Sequence, residues 1–298
     1  MRRLMLGVIL ACGVLTSVTA GPLEDAKAAY ARKDYATALR IWRAIAEQGD
    51  AEAQFQLGYM YILGQGVSKD FDKGMKLIDE AADRDGVSAI SFLASALSDK
   101  DPEKAEKLWR KAAELGGALA QYNLGEYFAW GLGVPLDYTE AARWYRKAAD
   151  QGFAGAQYKL GVMYQNGRGV PLDFAEAMKW HRKAADQGDA SAQVNLGVMY
   201  KQGLGVSQDY AGALKWYRKA ADQGDATAQF NLGTMYELGQ GVAQDYVQAH
   251  KWANLAASRA TDPKFRDLFV RGRDNIAAKM TPAKVAEAQR LAREWKPK

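Results

Sequence analysis

The sequence predicts an all-α fold, a solenoid of stacked antiparallel helix pairs, because one pattern recurs at intervals of 36 residues. Each copy opens with Ala-Gln-x-x-Leu-Gly, passes through a Gly-x-Gly-Val turn and carries a tryptophan in its second half. A unit of this length cannot bury its apolar face alone, so neighbouring copies are expected to stack. The repeated residues are Gln121, Gln157, Gln193 and Gln229, and Trp144, Trp180, Trp216 and Trp252.

The copy at 189–224 has the signals of two helices joined by a glycine turn. Asp189 and Asp209 each precede an apolar-periodic segment, where a carboxylate can accept from the free N–H groups of a first helical turn. Gly203 follows the first segment, and glycine ends a helix because it takes the left-handed conformation without a Cβ clash. Two other copies have the spacing of a capping box, in which both side chains bond to the helix start. These pairs are Asp137 with Glu140 and Asp173 with Glu176.

A glycine also recurs in the middle of each predicted first helix. Such a glycine costs about 0.5–1 kcal/mol relative to alanine. Its recurrence therefore predicts that neighbouring helices approach closely there, as at Gly197 opposite Ala213. The positions are Gly58, Gly125, Gly161, Gly197 and Gly233.

The motif as a whole resembles the Sel1-like repeat family, a tetratricopeptide-like family with a longer loop between its two helices. The residues that carry the resemblance are Ala-x-Ala-Gln-x-x-Leu-Gly-x-Met-Tyr, then Gly-x-Gly-Val, Asp, Ala, Trp and Lys-Ala-Ala. It covers about residues 50–258. The resemblance implies a curved, right-handed superhelix and a general role as an adaptor in assemblies, envelope signalling or host contact.

The predicted units are not all regular. Gln54 and Gln121 are 67 residues apart, five fewer than two periods, because the segment 98–102 replaces one glycine turn. Residues 21–49 resemble a plain tetratricopeptide pair, and residues 259–298 are expected to form a basic helical cap. The predicted units of the solenoid at 50–258 are 50–86, 87–116 (shortened), 117–152, 153–188, 189–224 and 225–258.

The first twenty residues indicate a secretory signal peptide. Arg2 and Arg3 precede an apolar run at 4–14, and a small-residue cleavage site ends at Ala20. The run is too short to span a membrane, which takes about 20 apolar residues. We therefore expect export to the periplasm or beyond. The only cysteine, Cys12, leaves open the alternative of a lipoprotein acylated at that residue.

Composition and charge describe an ordinary folded chain with one basic end. An apolar fraction of 48% and a charged fraction of 25% argue against disorder. The segment 259–298 holds 11 basic and 5 acidic residues. It is either a solvated cap or a contact for an anionic envelope surface. For an exported chain we expect no nucleic acid partner, and we expect a monomer.

Motifs for catalysis and metal binding are missing from the sequence. No S-x-x-K, G-x-S-x-G, H-E-x-x-H or phosphate-loop pattern occurs. His181 and His250 lie almost two repeats apart, so no shared metal site is expected, and His181 is expected at the edge of the core. The sequence thus predicts a protein that is not an enzyme and has no cofactor. A peptidoglycan-associated enzyme of the cell envelope, or a β-lactamase-like member of the wider repeat family, stays open as the alternative.

A protein or peptide partner is expected on the concave groove that the first helices line in the resembling family. Aromatic rings offer contact area there, and amides can pair with an extended backbone. The alternative is that these side chains only pack within the solenoid. Trp130 is distinctive, because the repeat does not require an indole there. The candidate residues are Phe55, Tyr59, Tyr122, Asn123, Glu126, Trp130, Tyr158, Asn195, Phe230 and Asn231.

Overall fold

The computed structural model describes residues 21–297, and every regular element within that range is an α-helix. The predicted signal peptide and Cys12 lie outside these described residues. The helices are α1 Pro22–Ala31, α2 Tyr35–Ala46, α3 Ala51–Leu63, α4 Phe71–Asp83, α5 Val87–Leu97, α6 Pro102–Glu114, α7 Ala118–Trp130, α8 Tyr138–Asp150, α9 Ala154–Asn166, α10 Phe174–Asp186, α11 Ala190–Gln202, α12 Tyr210–Asp222, α13 Ala226–Leu238, α14 Tyr246–Arg259, α15 Pro263–Ala277 and α16 Pro282–Glu294.

Helices adjacent in the chain pack on each other in sequence, which confirms the predicted all-α solenoid of helix pairs. The packing forms two compact units, the first ending at Gln121 and the second beginning at Tyr122, within α7. In the first unit, α2 contacts both α1 and α3. In the second unit the same pattern runs from α8 to α14, and α14 also contacts α15 and α16.

The predicted helix ends are confirmed at both termini. Asp189 accepts from the backbone N–H of Ala192 at 2.7 Å, and Asp209 accepts from that of Gly212 at 3.0 Å. Gly203 ends α11 in the left-handed conformation, with φ at 73°. The aspartate carboxylates accept from backbone N–H groups of the first turn that would otherwise lack partners, and the left-handed glycine ends the helix without a Cβ clash.

The predicted capping boxes are only half formed. Asp137 accepts from the N–H of Glu140, as expected. The return bond is replaced, because the backbone N–H of Asp137 already donates to the carbonyl of Phe128 at 2.9 Å. The Glu140 carboxylate instead accepts from the indole N–H of Trp144 at 2.8 Å. The pair Asp173 and Glu176 repeats this arrangement on Trp180.

The mid-helix glycines have two different roles. At Gly58 a Cβ would lie 2.7 Å from the carbonyl oxygen of Gly74, so two helix backbones approach closely there, as predicted. At Gly197 a Cβ would lie 2.5 Å from the Cε1 atom of Tyr217. The contact at Gly197 is as close as expected, and it is made by an aromatic ring of the neighbouring helix.

The second glycine of an inter-helix turn lets the loop lie on the preceding helix pair, as at Gly66, Gly169, Gly205 and Gly241. At Gly205 a Cβ would lie 2.6 Å from the carbonyl oxygen of Phe174, the first residue of α10. The shortened pair α5–α6 is joined without such a loop. Phe71, which holds the corresponding place at the start of α4, is consequently 59% exposed.

Candidate functional site

Five side chains of the second unit form one polar and aromatic group, the Glu126 cluster. Helix α7 supplies three members, and α8 and α9 supply one each, because the repeat aligns these positions on neighbouring helices. Four of the five surround the carboxylate of Glu126. The members are Tyr122, Glu126, Trp130, Tyr145 and Lys159.

Glu126 is held by three donors. The Lys159 ammonium lies 2.9 Å from one carboxylate oxygen, and the Tyr145 hydroxyl donates to the same oxygen. The indole N–H of Trp130 donates to the other oxygen at 3.3 Å. Because opposite charge and two neutral donors satisfy it, this carboxylate has a fixed orientation.

Burial raises the pKa of two tyrosines in the cluster. Burial first, and the neighbouring Glu126 charge second, raise the pKa of Tyr122 to about 12. The same two causes raise the pKa of Tyr145. Both phenols therefore stay neutral at physiological pH, and the Tyr145 hydroxyl donates a hydrogen bond to Glu126.

Trp130 is the exposed member of the cluster. It is the last residue of α7, and its side chain is 67% exposed. The bond to Glu126 nonetheless fixes its indole, so a large apolar surface is presented in one orientation. An exposed and oriented tryptophan has the properties of an anchor for a binding partner.

Other candidate residues serve the packing of the helices. Phe55 is only 5% exposed and packs on Phe92 at a centroid distance of 6.1 Å, beside Tyr59. Phe230 stacks on Phe269 of α15 at 4.6 Å. These rings thus follow the packing alternative, and we do not include Phe55 in a binding surface.

Tyr158 and Asn195 lie beside a buried histidine. The rings of Tyr158 and His181 have centroids 5.7 Å apart, and the Asn195 amide nitrogen is 3.4 Å from Nε2 of His181. His181 is fully buried rather than at the edge of the core as expected. Burial lowers its pKa to about 4, so the ring is neutral at physiological pH. The remaining candidates, Asn123 and Asn231, are half-buried.

An arginine column that the sequence reasoning missed links consecutive pairs in the second unit. The guanidinium of Arg182 lies 4.9 Å from the ring centroid of Trp216 and also donates to the hydroxyl of Tyr200. Lys219 lies over the same indole at 4.3 Å. The signal was present in the sequence, because Arg146, Arg182 and Arg218 follow the 36-residue step.

Among residues 21–297, no group of three or more His, Cys, Asp or Glu side chains is placed to hold a metal ion. No helix in the same range has both the length and the apolar character needed to cross a bilayer.

Comparison with known proteins gives the family and two similar structures. The Sel1 repeat model matches residues 51–86, 93–117, 118–153, 154–189, 190–225 and 226–260. A search of curated proteins returned no match. Among solved structures, a protective antigen present in uropathogenic Escherichia coli strains is 33% identical, with a TM-score of 0.79 over 92% of this chain.

The chain spans 60% of the length of that antigen. A Sel1 repeat protein from Oxalobacter formigenes is 29% identical, with a TM-score of 0.68. That similarity covers 82% of this chain and 100% of the other. Both similar structures have the fold described above.

Proposed function

The chain belongs to the Sel1 repeat family, and on that premise we propose that it is an exported, non-enzymatic scaffold that binds a protein or peptide partner. The proposed contact surface is the exposed edge of the Glu126 cluster in the second unit. The observation that carries the proposal is the exposed indole of Trp130. Packing within the repeat does not account for an exposed, oriented tryptophan at this position.

The chemistry of the cluster supports a partner with an apolar side chain and neutral backbone groups. The charges of Glu126 and Lys159 compensate each other at 2.9 Å, so the cluster does not favour a strongly charged ligand. The indole of Trp130 supplies the apolar area. Because its orientation is already fixed, little side-chain entropy is lost when a partner covers it.

The test compares two exposed residues at the same place in different copies. Trp130 ends α7 and Leu238 ends α13, and the two side chains are 67% and 55% exposed. Trp130→Ala should reduce recovery of a specific partner from envelope extract by about tenfold or more, since losing an anchor costs at least about 2 kcal/mol. Leu238→Ala should leave that recovery unchanged. Equal recovery on both variants would exclude Trp130 as the anchor.

Export is the second part of the proposal. It rests on the signal-peptide pattern of residues 1–20, and the similarity to a protective antigen supports it. Expression of the full chain in a bacterium, followed by mass measurement of the mature protein, tests this part. Cleavage after Ala20 should give a protein that begins at Gly21. A lipid-modified N-terminus at Cys12 would instead identify a lipoprotein, and an uncleaved chain would contradict export by this signal.

A further inference from the structure

The repeats of the first unit lack the tryptophan that recurs in the second half of each copy in the second unit. Leu77 follows Gln54 by 23 residues, as Trp144 follows Gln121 by 23. In the second unit this indole is buried beneath the arginine of the preceding pair. The indole of Trp180, for example, is only 2% exposed. Leucine is much shorter than tryptophan, so the space that an indole would fill is left open in the first repeat.

The groups that flank an indole elsewhere are nevertheless present around this space. Arg182 and Tyr200 hold Trp216 in the second unit. Arg43 and Tyr61 have the same spacing of 18 residues, and the Arg43 guanidinium donates to the Tyr61 hydroxyl at 3.5 Å. The frame of an indole site is thus conserved between the repeats of this chain, although its own indole is missing.

The result is an open groove of about 510 Å³ between α2, α3 and α4, which we name the Leu77 groove. This volume falls within the range of about 300–1,000 Å³ that is typical of sites for small ligands. Its lining includes Arg43, Gln54, Tyr61, Lys73, Leu77 and Arg84.

Gln54 gives the groove a buried hydrogen-bond acceptor. In the second unit, the side-chain oxygen of Gln157 accepts from the amide of Gln187 at 2.8 Å. Arg84 stands in that place in the first unit and donates to the carbonyl of Gly49 at 3.2 Å, as Gln187 also does to Gly152, but it does not bond to Gln54. Gln54 is 5% exposed, and its oxygen has no partner among residues 21–297. A buried acceptor without a donor is costly, so an N–H group of a ligand would be stabilised there.

The charges around the groove favour a carboxylate. Three cationic side chains line it against two acidic ones, Glu47 and Glu80. The Lys73 ammonium lies over the Tyr61 ring, 4.4 Å from its centroid. The pKa of the Tyr61 phenol is lowered, and the hydrogen bond with Lys73 is the largest cause. The guanidinium groups of Arg43 and Arg84 are well suited to pair with a carboxylate.

We propose that the Leu77 groove binds the C-terminal aromatic residue of a protein or peptide. The ring occupies the space of the missing indole between Leu77 and Arg43, the amide N–H donates to Gln54, and the terminal carboxylate pairs with Arg84. An aromatic ring, an N–H donor and a carboxylate are the three features of such a residue. This groove belongs to the first unit and is independent of the Trp130 surface in the second.

N-acetyltryptophan is the probe, because it carries an indole, an amide N–H and a free carboxylate. Titration into the isotope-labelled mature chain, followed by NMR, should give saturable shifts at amides of α2, α3 and α4. We expect a Kd on the order of 1 mM or tighter, as for a small fragment. N-acetyltryptophanamide, which lacks the carboxylate, should bind several-fold more weakly, and N-acetylalanine should not bind. No saturable shift up to about 10 mM would overturn the proposal.

The decisive variant fills the groove with a side chain of the protein itself. Leu77→Trp supplies the missing indole and should raise Tm while weakening N-acetyltryptophan binding by at least tenfold. Leu63→Trp is the matched control, because it adds an indole at an exposed position of α3 that does not line the groove. Its binding should be unchanged. Binding that survives Leu77→Trp, or shifts that map to the second unit, would refute the site.

Arg43→Gln keeps the test decisive if Leu77→Trp does not fold. The Arg43 side chain is exposed, so its replacement should preserve the fold. Removal of the guanidinium should lower the affinity several-fold through loss of its interaction with the ring. Unchanged affinity in a folded Arg43→Gln variant would remove the arginine from the site and contradict the proposed position of the ring.

Discussion

Single glycines in the second unit control how aromatic rings enter the core. Gly125, Gly161 and Gly197 face the rings of Tyr145, His181 and Tyr217 respectively. Each added Cβ would lie between 2.5 and 2.7 Å from a ring atom. Since protein interiors are closely packed, no space remains there for even one methyl group. Each of these rings therefore packs directly on the backbone of the glycine that faces it.

Gly197→Ala is accordingly expected to destabilise the second unit despite the better helix propensity of alanine. Overpacking against Tyr217 should cost about 1–3 kcal/mol, more than the gain of about 0.5–1 kcal/mol from helix propensity. Chemical denaturation followed by circular dichroism measures the change.

A double-mutant cycle identifies the cause. Without the ring, in a Tyr217→Leu background, Gly197→Ala should be neutral or stabilising. Equal destabilisation in both backgrounds would show that the ring is not the reason for glycine at this position.

At the residue scale, the sequence predicted the special positions better than the contacts they make. Recurrence alone located the glycines, and disagreement between copies located Trp130. The partner of each glycine could not be predicted, because it lies on another helix whose rotation the repeat spacing does not define. The burial of Phe55 could not be predicted for the same reason, since it depends on Phe92 in an irregular pair.

At the scale of helices, local signals predicted the ends well and the links between pairs poorly. The aspartate N-caps and glycine C-caps depend on neighbouring residues only, and they form as predicted. The return bonds of the capping boxes do not form, because a carbonyl from the preceding helix already accepts from the N-cap N–H. That carbonyl belongs to Phe128 for Asp137, nine positions earlier, so tertiary packing prevailed over a local motif.

The shortened pair shows how one loop affects a neighbouring helix. In the second unit, the loop glycine at 205 covers the start of α10. The turn between α5 and α6 is too short to do the same for α4. Phe71 remains exposed as a result, although aromatic residues at the same place in other copies are half-buried. The missing residues were visible in the sequence, but their effect on α4 required the structure.

At the scale of the whole molecule, the repeat predicts the fold and leaves the partner unnamed. The period, the turns and the tryptophans together specify stacked helix pairs. The binding surfaces that we propose lie where copies differ, at Trp130 in one unit and at Leu77 in the other. The first difference was found from sequence. The second was missed, because the space left by a smaller residue is seen only once its neighbours are placed.

The last helices complete the second unit by covering its end. An array of repeats needs a final element that buries the apolar face of its last pair. Phe269 of α15 does so against Phe230, and Ile276 packs on Ala249 and Ala253 of α14. Packing therefore explains the structure of this segment independently of its positive charge.

Substitution of two phenylalanines on α15 tests whether this helix packs as a stabilising cap or is only a solvated end. Phe269 is 2% exposed and Phe265 is 53% exposed, so they form a matched pair on one helix. Phe269→Ala should destabilise the second unit by about 3–5 kcal/mol, because it removes buried area and leaves a cavity. Phe265→Ala should cost less than about 1 kcal/mol. Hydrogen exchange should show faster exchange in α13 and α14 for the first variant only. Similar exchange in both variants would mean that α15 does not stabilise the end of the array.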